Sequence, residues 1–194
     1  MVLNIPNLLT LLRIVLIPVF VFAYYSDFPS AHLVATGVFV LGALTDWLDG
    51  YLARRLNQHS ALGAFLDPVA DKLMVATALI LLVADTELSA IVFDNRLFTV
   101  TVAIIVGREI TVSALREWMA ELGHRGTVAV SYVGKMKTIG QMVAISFLVF
   151  REPLYGVPIV FIGEILLYAA AIITLWSMVN YLKAAWSKLT TPDT

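Results

Sequence analysis

Apolar runs of about membrane-crossing length, separated by short polar clusters, organise this chain from end to end. Pro6 stands where a helix can begin. An amphipathic entry then leads into the run Ile14 to Tyr25, and together they predict a first helix long enough to span, about 20 residues being required. Asp27 to Ser30, with Pro29, reads as a turn. A second span is expected from Ala31 to Leu52, followed by the polar loop ARRLNQHS, and a third from Ala61 to Ala84. Asp85 to Asn95 reads as a loop carrying three acids. A fourth span is expected over Leu97 to Leu115 and a fifth over Val133 to Phe150; Pro153, Gly156 and Pro158 then break the chain before a sixth over Ile159 to Leu182.

Composition agrees with that pattern. Of 194 residues, 60% are hydrophobic and 14% charged, whereas soluble domains run near 45 to 50% apolar, roughly. The expected fold is therefore an all-α integral membrane bundle of six transmembrane helices. Arg54, Arg55, Arg116, Arg125, Lys135, Lys137, Lys183 and Lys188 fall at or near one face, and Arg96 and Arg151 at the other. Lys and Arg favour the cytoplasmic side, so both termini and the first-mentioned face are expected there. Arg13, Lys72 and Arg108 fall inside spans or at their ends. No positively charged leader precedes the first apolar run, so a removable signal peptide is not expected. A net charge of -1 without a long basic run gives no support to nucleic-acid binding. Cysteine is absent, which excludes thiolate metal sites and disulfides. No internal repeat points to a two-halved transporter.

Four aspartates stand out against this apolar background. Asp46 and Asp49 are three residues apart and Asp67 and Asp71 four apart, so each pair shares one helix face. An antiparallel connection brings the two pairs to one side of the membrane. Solvated helix ends are one reading. The other is a functional site, because an ionised Asp at membrane depth costs about 2.5 to 3.5 kcal/mol and calls for a partner such as a divalent cation. Gly50, Ala53 and Gly63 are small residues that admit close approach, and Arg54 offers a fork of donors to carboxylate or phosphate. Together these describe a site for a metal-bound phosphate compound.

Other polar groups also sit among apolar residues. Asn7, Thr10 and Arg13 fall broadly on one helix face: an interfacial helix whose Arg snorkels to headgroups, or donors facing an anionic lipid diphosphate. Arg108 either pairs with an acid such as Glu109 or Glu164, or joins Arg116, Lys135 and Lys137 around a second anion. His32, His59 and His124 are single residues in or near loops, read as solvated. Trp47, Trp118, Trp176 and Trp186 lie close to span ends, as an aromatic belt would.

Asp46, Asp49, Gly50, Ala53, Arg54, Gly63, Asp67 and Asp71 read D-x-x-D-G-x-x-A-R, eight residues, then G-x-x-x-D-x-x-x-D. This string resembles the signature of the CDP-alcohol phosphotransferase family without departure, and eight positions at set gaps are far more specific than a lone glycine motif. The resemblance implies one membrane domain over residues 1–194 that transfers the phosphatidyl group of CDP-diacylglycerol to an alcohol and releases CMP. The opening segment, GREITVSALREWMAELG and GKMKT further resemble the branch that makes phosphatidylglycerol phosphate from sn-glycerol 3-phosphate. On this resemblance Asp46, Asp49, Asp67 and Asp71 hold metal, two Mg²⁺ ions or alternatively Mn²⁺, and Asp71 also serves as general base. Gly50, Ala53, Arg54 and Gly63 border the cytidine nucleotide, with Asn7, Thr10 and Arg13 also on CDP-diacylglycerol. Arg108, Arg116, Lys135 and Lys137 hold the acceptor phosphate.

The resemblance also implies a bacterial inner membrane, lipid around the bundle, and a homodimer, for which Gly140 or Gly163 offer packing positions. The rivals are the same chemistry on serine, inositol phosphate or phosphatidylglycerol and, in a different class, a cation channel or transporter.

Overall fold

The computed structural model describes residues 4–56, 60–121 and 132–189. Among them the chain forms seven helices and no strand, apart from an isolated bridge between Leu154 and Val157. They are α1 (Ile5–Tyr24), α2 (Ala31–Arg55), α3 (Ala61–Ala84), α4 (Thr86–Ile91), α5 (Asn95–Glu121), α6 (Tyr132–Phe150) and α7 (Ile159–Leu189). Segments Ile5–Tyr24, Ala31–Ala53, Asn95–Glu121 and Ile159–Ala184 are long and apolar enough to cross a membrane, and Met136–Phe150 is a shorter apolar helix. This is an integral membrane protein. α3 has 24 residues, but Asp67, Asp71 and Lys72 interrupt its first half.

Local chemistry explains where these helices start. Asn4 caps α1, its side chain accepting from the Asn7 N–H at 3.0 Å, with Pro6 in the first turn, where no N–H is missed. Ser60 caps α3 by accepting from the Gly63 N–H at 2.9 Å. Asp85 accepts from the N–H groups of Glu87 and Leu88, which turns part of the expected loop after α3 into the short helix α4. Pro68 lies well inside α3 rather than in its first turn, so it withholds a bond from the carbonyl four residues earlier. α5 and α7 continue beyond Leu115 and Leu182, the expected ends of their spans, because the polar residues there remain compatible with a helix that leaves the apolar layer.

The helices are apolar on both sides, one face for neighbours and one for lipid. Leu16, Phe20, Phe39, Met74, Leu79, Leu82, Ile105, Ile145 and Leu148 form the core, while Val15, Phe22, Ile80, Ile110, Ile139 and Ile172 face outward. Phe20 packs on Phe39 with ring centres 5.8 Å apart, joining α1 to α2. A Cβ on Gly163 would stand 3.0 Å from the Ala144 carbonyl oxygen, so Gly163 packs α7 onto α6 within one chain and is not free for a subunit interface.

At the end of the bundle away from the aspartates, Arg151 ties three segments together. It bonds Asp85, donates to Tyr24 Oη at 2.6 Å and to Glu87 at 3.3 Å, and lies over the Tyr24 ring at 5.5 Å. Its φ of 62° holds the turn after α6 in the left-handed region. His32, expected as a solvated loop residue, instead lies in the first turn of α2, edge-on to Tyr24. His59, His124 and Arg125, and the side chains of Arg54 and Lys135, lie outside the described residues. Trp47, Trp118, Trp176 and Trp186 are exposed.

Candidate active site

Asp46 and Asp49 sit on the last turns of α2, and Asp67 and Asp71 on the first half of α3. α1 packs against both helices and carries the groups that organise them. Arg13 is 1% exposed and reaches across α2: Nη1 donates to Asp46 Oδ1 at 2.7 Å and Nη2 donates to Asp49 Oδ2. One turn earlier, Thr10 donates to Asp67 Oδ1 at 2.5 Å. Asn7 accepts from the Ser60 hydroxyl at 2.8 Å, and Ser60 is the cap of α3. The Asn7, Thr10 and Arg13 face is therefore buried against α2 and α3, and the reading of Arg13 as a snorkelling residue is overturned. The guanidinium turns inward because two carboxylates at that depth offer it more than lipid headgroups do.

The small residues divide by role. A Cβ on Gly63 would fall 2.6 Å from Asn7 Oδ1, so a larger residue there would push the buried Asn7 amide away from Ser60. Gly50 has nothing within 4 Å of that position, so no helix contact demands a glycine there.

All four carboxylates share one field. Asp49 interacts electrostatically with Arg13, Asp46 and Asp67, and Asp71 with Asp46, Arg13, Glu109 and Lys72. Oxygen donors from two helices fit a hard divalent cation in chemistry. Among the described residues no three acidic or imidazole side chains already enclose a metal position. Asp46 and Asp49 are turned to the Arg13 fork and Asp67 to Thr10, so holding a cation requires these side chains to turn toward it.

On the other side of Asp71 is a cavity of about 360 Å³ whose walls include Lys72, Arg108, Glu109, Ser113, Arg116 and Tyr181. Arg108 and Lys137 are both buried, and both bond the Oε1 of Glu109, Lys137 at 3.3 Å. Arg108 thus pairs with Glu109; Glu164, its other candidate partner, instead accepts from the Phe93 N–H and the Tyr168 hydroxyl. Arg116 is exposed, its guanidinium 5.8 Å from the centre of the Tyr181 ring. A second cavity of about 280 Å³ shares Asp71, Lys72 and Glu109 at its mouth and continues between α3, α5 and α6 along Leu79, Ile105 and Met142.

Lys72, Glu109, Ser113 and Tyr181 also line the site, beyond the residues expected there from the sequence. Lys72 donates to Ser113 and so joins α3 to α5 beside Asp71. The signal for Lys72 and Glu109 was adjacency, each following a candidate residue by one position.

A family model described as CDP-alcohol phosphatidyltransferase matches residues 3–176. The chain is 50% identical over 192 residues to the CDP-diacylglycerol--glycerol-3-phosphate 3-phosphatidyltransferase of Yersinia pestis, covering 99% of this chain and 100% of that one. The Yersinia pseudotuberculosis protein of the same name gives the same values. That of Salmonella typhimurium is 48% identical over 182 residues, or 94% of each chain. A match over nearly the whole length, with the aspartate helices inside it, means that this chain belongs to the CDP-alcohol phosphatidyltransferase family.

Proposed function

We propose that this protein transfers the phosphatidyl group of CDP-diacylglycerol to sn-glycerol 3-phosphate, giving phosphatidylglycerol phosphate and CMP. The observation that carries this is full-length identity of about half to relatives named for that reaction, with a cationic cavity beside the aspartates that suits an acceptor bearing its own phosphate.

Asp71 stands between the carboxylate group and the cationic cavity, which suits a base for the acceptor hydroxyl. In the reaction the hydroxyl gives its proton to Asp71 and its oxygen forms a bond to the phosphorus that carries diacylglycerol. The bond from that phosphorus to the bridging oxygen breaks, and CMP leaves with the electron pair. Arg108, Arg116, Lys135 and Lys137 hold the acceptor phosphate, charge-assisted bonds to phosphate being among the stronger ones available. Asn7, Thr10 and Arg13, with Gly50, Ala53, Arg54 and Gly63, border the CDP-lipid; Gly50 leaves room on α2 for it.

Divalent ions, two Mg²⁺ or else Mn²⁺, would be held by Asp46, Asp49, Asp67 and Asp71 and would neutralise the diphosphate as it is attacked. Without added positive charge, four carboxylates repel an anionic donor. The chain forms a single membrane domain over residues 1–194, crossing six times with α3 and α6 as the remaining spans. Both termini and the aspartates face the cytoplasm of a bacterial inner membrane, and the protein works as a homodimer surrounded by lipid.

The test is CMP release from CDP-diacylglycerol by the purified protein, supplied in turn with sn-glycerol 3-phosphate, serine, inositol phosphate and phosphatidylglycerol. Release only with sn-glycerol 3-phosphate is expected. Preference for another acceptor overturns the assignment, and cation flux in proteoliposomes without CMP release moves the protein to the channel class.

A further inference from the structure

The cationic cavity already contains an anion of its own. Arg108 on α5 and Lys137 on α6 both direct a donor to one oxygen of Glu109, Lys137 from 3.3 Å. Both cations are buried, whereas the Glu109 side chain is 32% exposed and lines both cavities next to Asp71. Arg108 also keeps its Nε buried with no partner, so its fork is only partly used. One carboxylate oxygen is therefore serving two cations, and an unfilled donor remains.

A phosphate monoester brings three acceptor oxygens and close to two negative charges. In that cavity it meets Arg108, with Lys72 and Arg116 also in the wall, and it can satisfy Arg108, and through the place of Glu109 also Lys137, more fully than one shared carboxylate oxygen does. A neutral alcohol brings no charge with which to displace the carboxylate. Resting on the proposed use of this cavity for an acceptor phosphate, we infer that Glu109 is a resident counter-anion. It occupies the donors of Arg108 and Lys137 in the free protein, is displaced by the acceptor phosphate, and thereby biases the site against acceptors without one. Glu109 is a specificity-determining residue that acts through its two cations.

The probe is inorganic phosphate, its affinity for the full-length protein in detergent measured by calorimetry and, separately, as competition with sn-glycerol 3-phosphate. Glu109→Gln preserves shape and removes the charge. Phosphate should bind about tenfold tighter, the worth of one charge-assisted bond no longer competing. KM for sn-glycerol 3-phosphate should fall while KM for CDP-diacylglycerol stays. In a Lys137→Gln background the same change should give a smaller gain, since one of the two contested donors is gone.

Glu109→Asp, which draws the carboxylate back by one methylene, should give an intermediate gain and carries the test if the Gln variant does not fold. Unchanged or weaker phosphate binding in a folded variant overturns the inference, as does an equal gain with and without Lys137. Calorimetry needs no turnover, so tighter phosphate binding without CMP release counts against the proposed reaction alone. Intact CMP release with unchanged phosphate affinity counts against Glu109 alone.

Discussion

Replacing Arg13 by Ala tests whether the aspartates form a cation site. In the free protein Arg13 bonds two carboxylates at once, and Asp49 is 3% exposed. Removing one partner of a buried pair leaves an uncompensated charge, a loss of about 3 kcal/mol at the lower end of the usual range. For a chain of this size each kcal/mol moves the midpoint by about 2 to 4 °C, so Arg13→Ala should unfold roughly 6 to 12 °C below wild type in EDTA.

Mg²⁺ then distinguishes the two accounts of the site. If the carboxylates can turn to a divalent ion, Mg²⁺ at a hundred times its dissociation constant returns about 2.7 kcal/mol, nearly all of the loss. Wild type should gain less, because there the ion competes with Arg13 for Asp46 and Asp49. The assay is thermal unfolding in detergent of both proteins, with EDTA and across a Mg²⁺ series. A deficit of the same size at every Mg²⁺ concentration would refute the cation site. A drop of less than about 2 °C in EDTA would instead refute the assigned strength of the Arg13 pair.

Other perturbations separate chemistry from support. Asp71→Asn should reduce turnover by at least about 10²-fold while CDP-diacylglycerol binding stays largely intact, and near-normal rates would remove the base assignment. Arg108→Ala should raise KM for sn-glycerol 3-phosphate much more than for CDP-diacylglycerol; equal losses on both would assign it to the fold. Gly63→Ala places a Cβ 2.6 Å from Asn7 Oδ1, and thermal unfolding should show a loss of about 1 to 3 kcal/mol. Arg151→Ala, at the opposite end, should cost about 2 kcal/mol from its bonds to Asp85 and Tyr24, with kcat/KM at a permissive temperature unchanged.

Much of this arrangement was legible from spacing, and the misses share a physical cause. α3 begins and ends where the sequence pattern puts it, because Ser60 is a good cap and Asp85 opens a new one. The alignment of Asp46 with Asp49 follows from helical periodicity alone. What periodicity does not reveal is which of two neighbours a side chain selects. Arg13 was equally compatible with headgroups or an inward partner until α1 was seen packed between α2 and α3, and Lys72 met Ser113 only through the packing of α3 on α5. The ends of α5 and α7 escaped because hydropathy marks where lipid stops, and a helix need not stop there. The helix in the expected 85–95 loop escaped because its cap, Asp85, also served as a plausible loop acid.

The charges around Asp71 follow one rule that bears on how the reaction starts. Asp46 and Asp49 are satisfied by Arg13, Arg108 and Lys137 by Glu109, and Lys72 by Ser113. Each side of the site is thus partly compensated from within, one guanidinium shared by two carboxylates and one carboxylate shared by two cations, which lowers the cost of holding so many ionisable groups next to an apolar bundle. On the proposed reading the same pairs would compete with ligands, a divalent cation with Arg13 on one side of Asp71 and a phosphate with Glu109 on the other. Apparent affinities would be lowered by that competition, because the carboxylates have to leave Arg13 and the cations have to leave Glu109 as ligands enter. Because the two exchanges meet at Asp71, which interacts with both Arg13 and Glu109, filling one side alters the field in which the other is filled. Binding of divalent cation and of acceptor phosphate should therefore be coupled, each changing the other's affinity by the same factor.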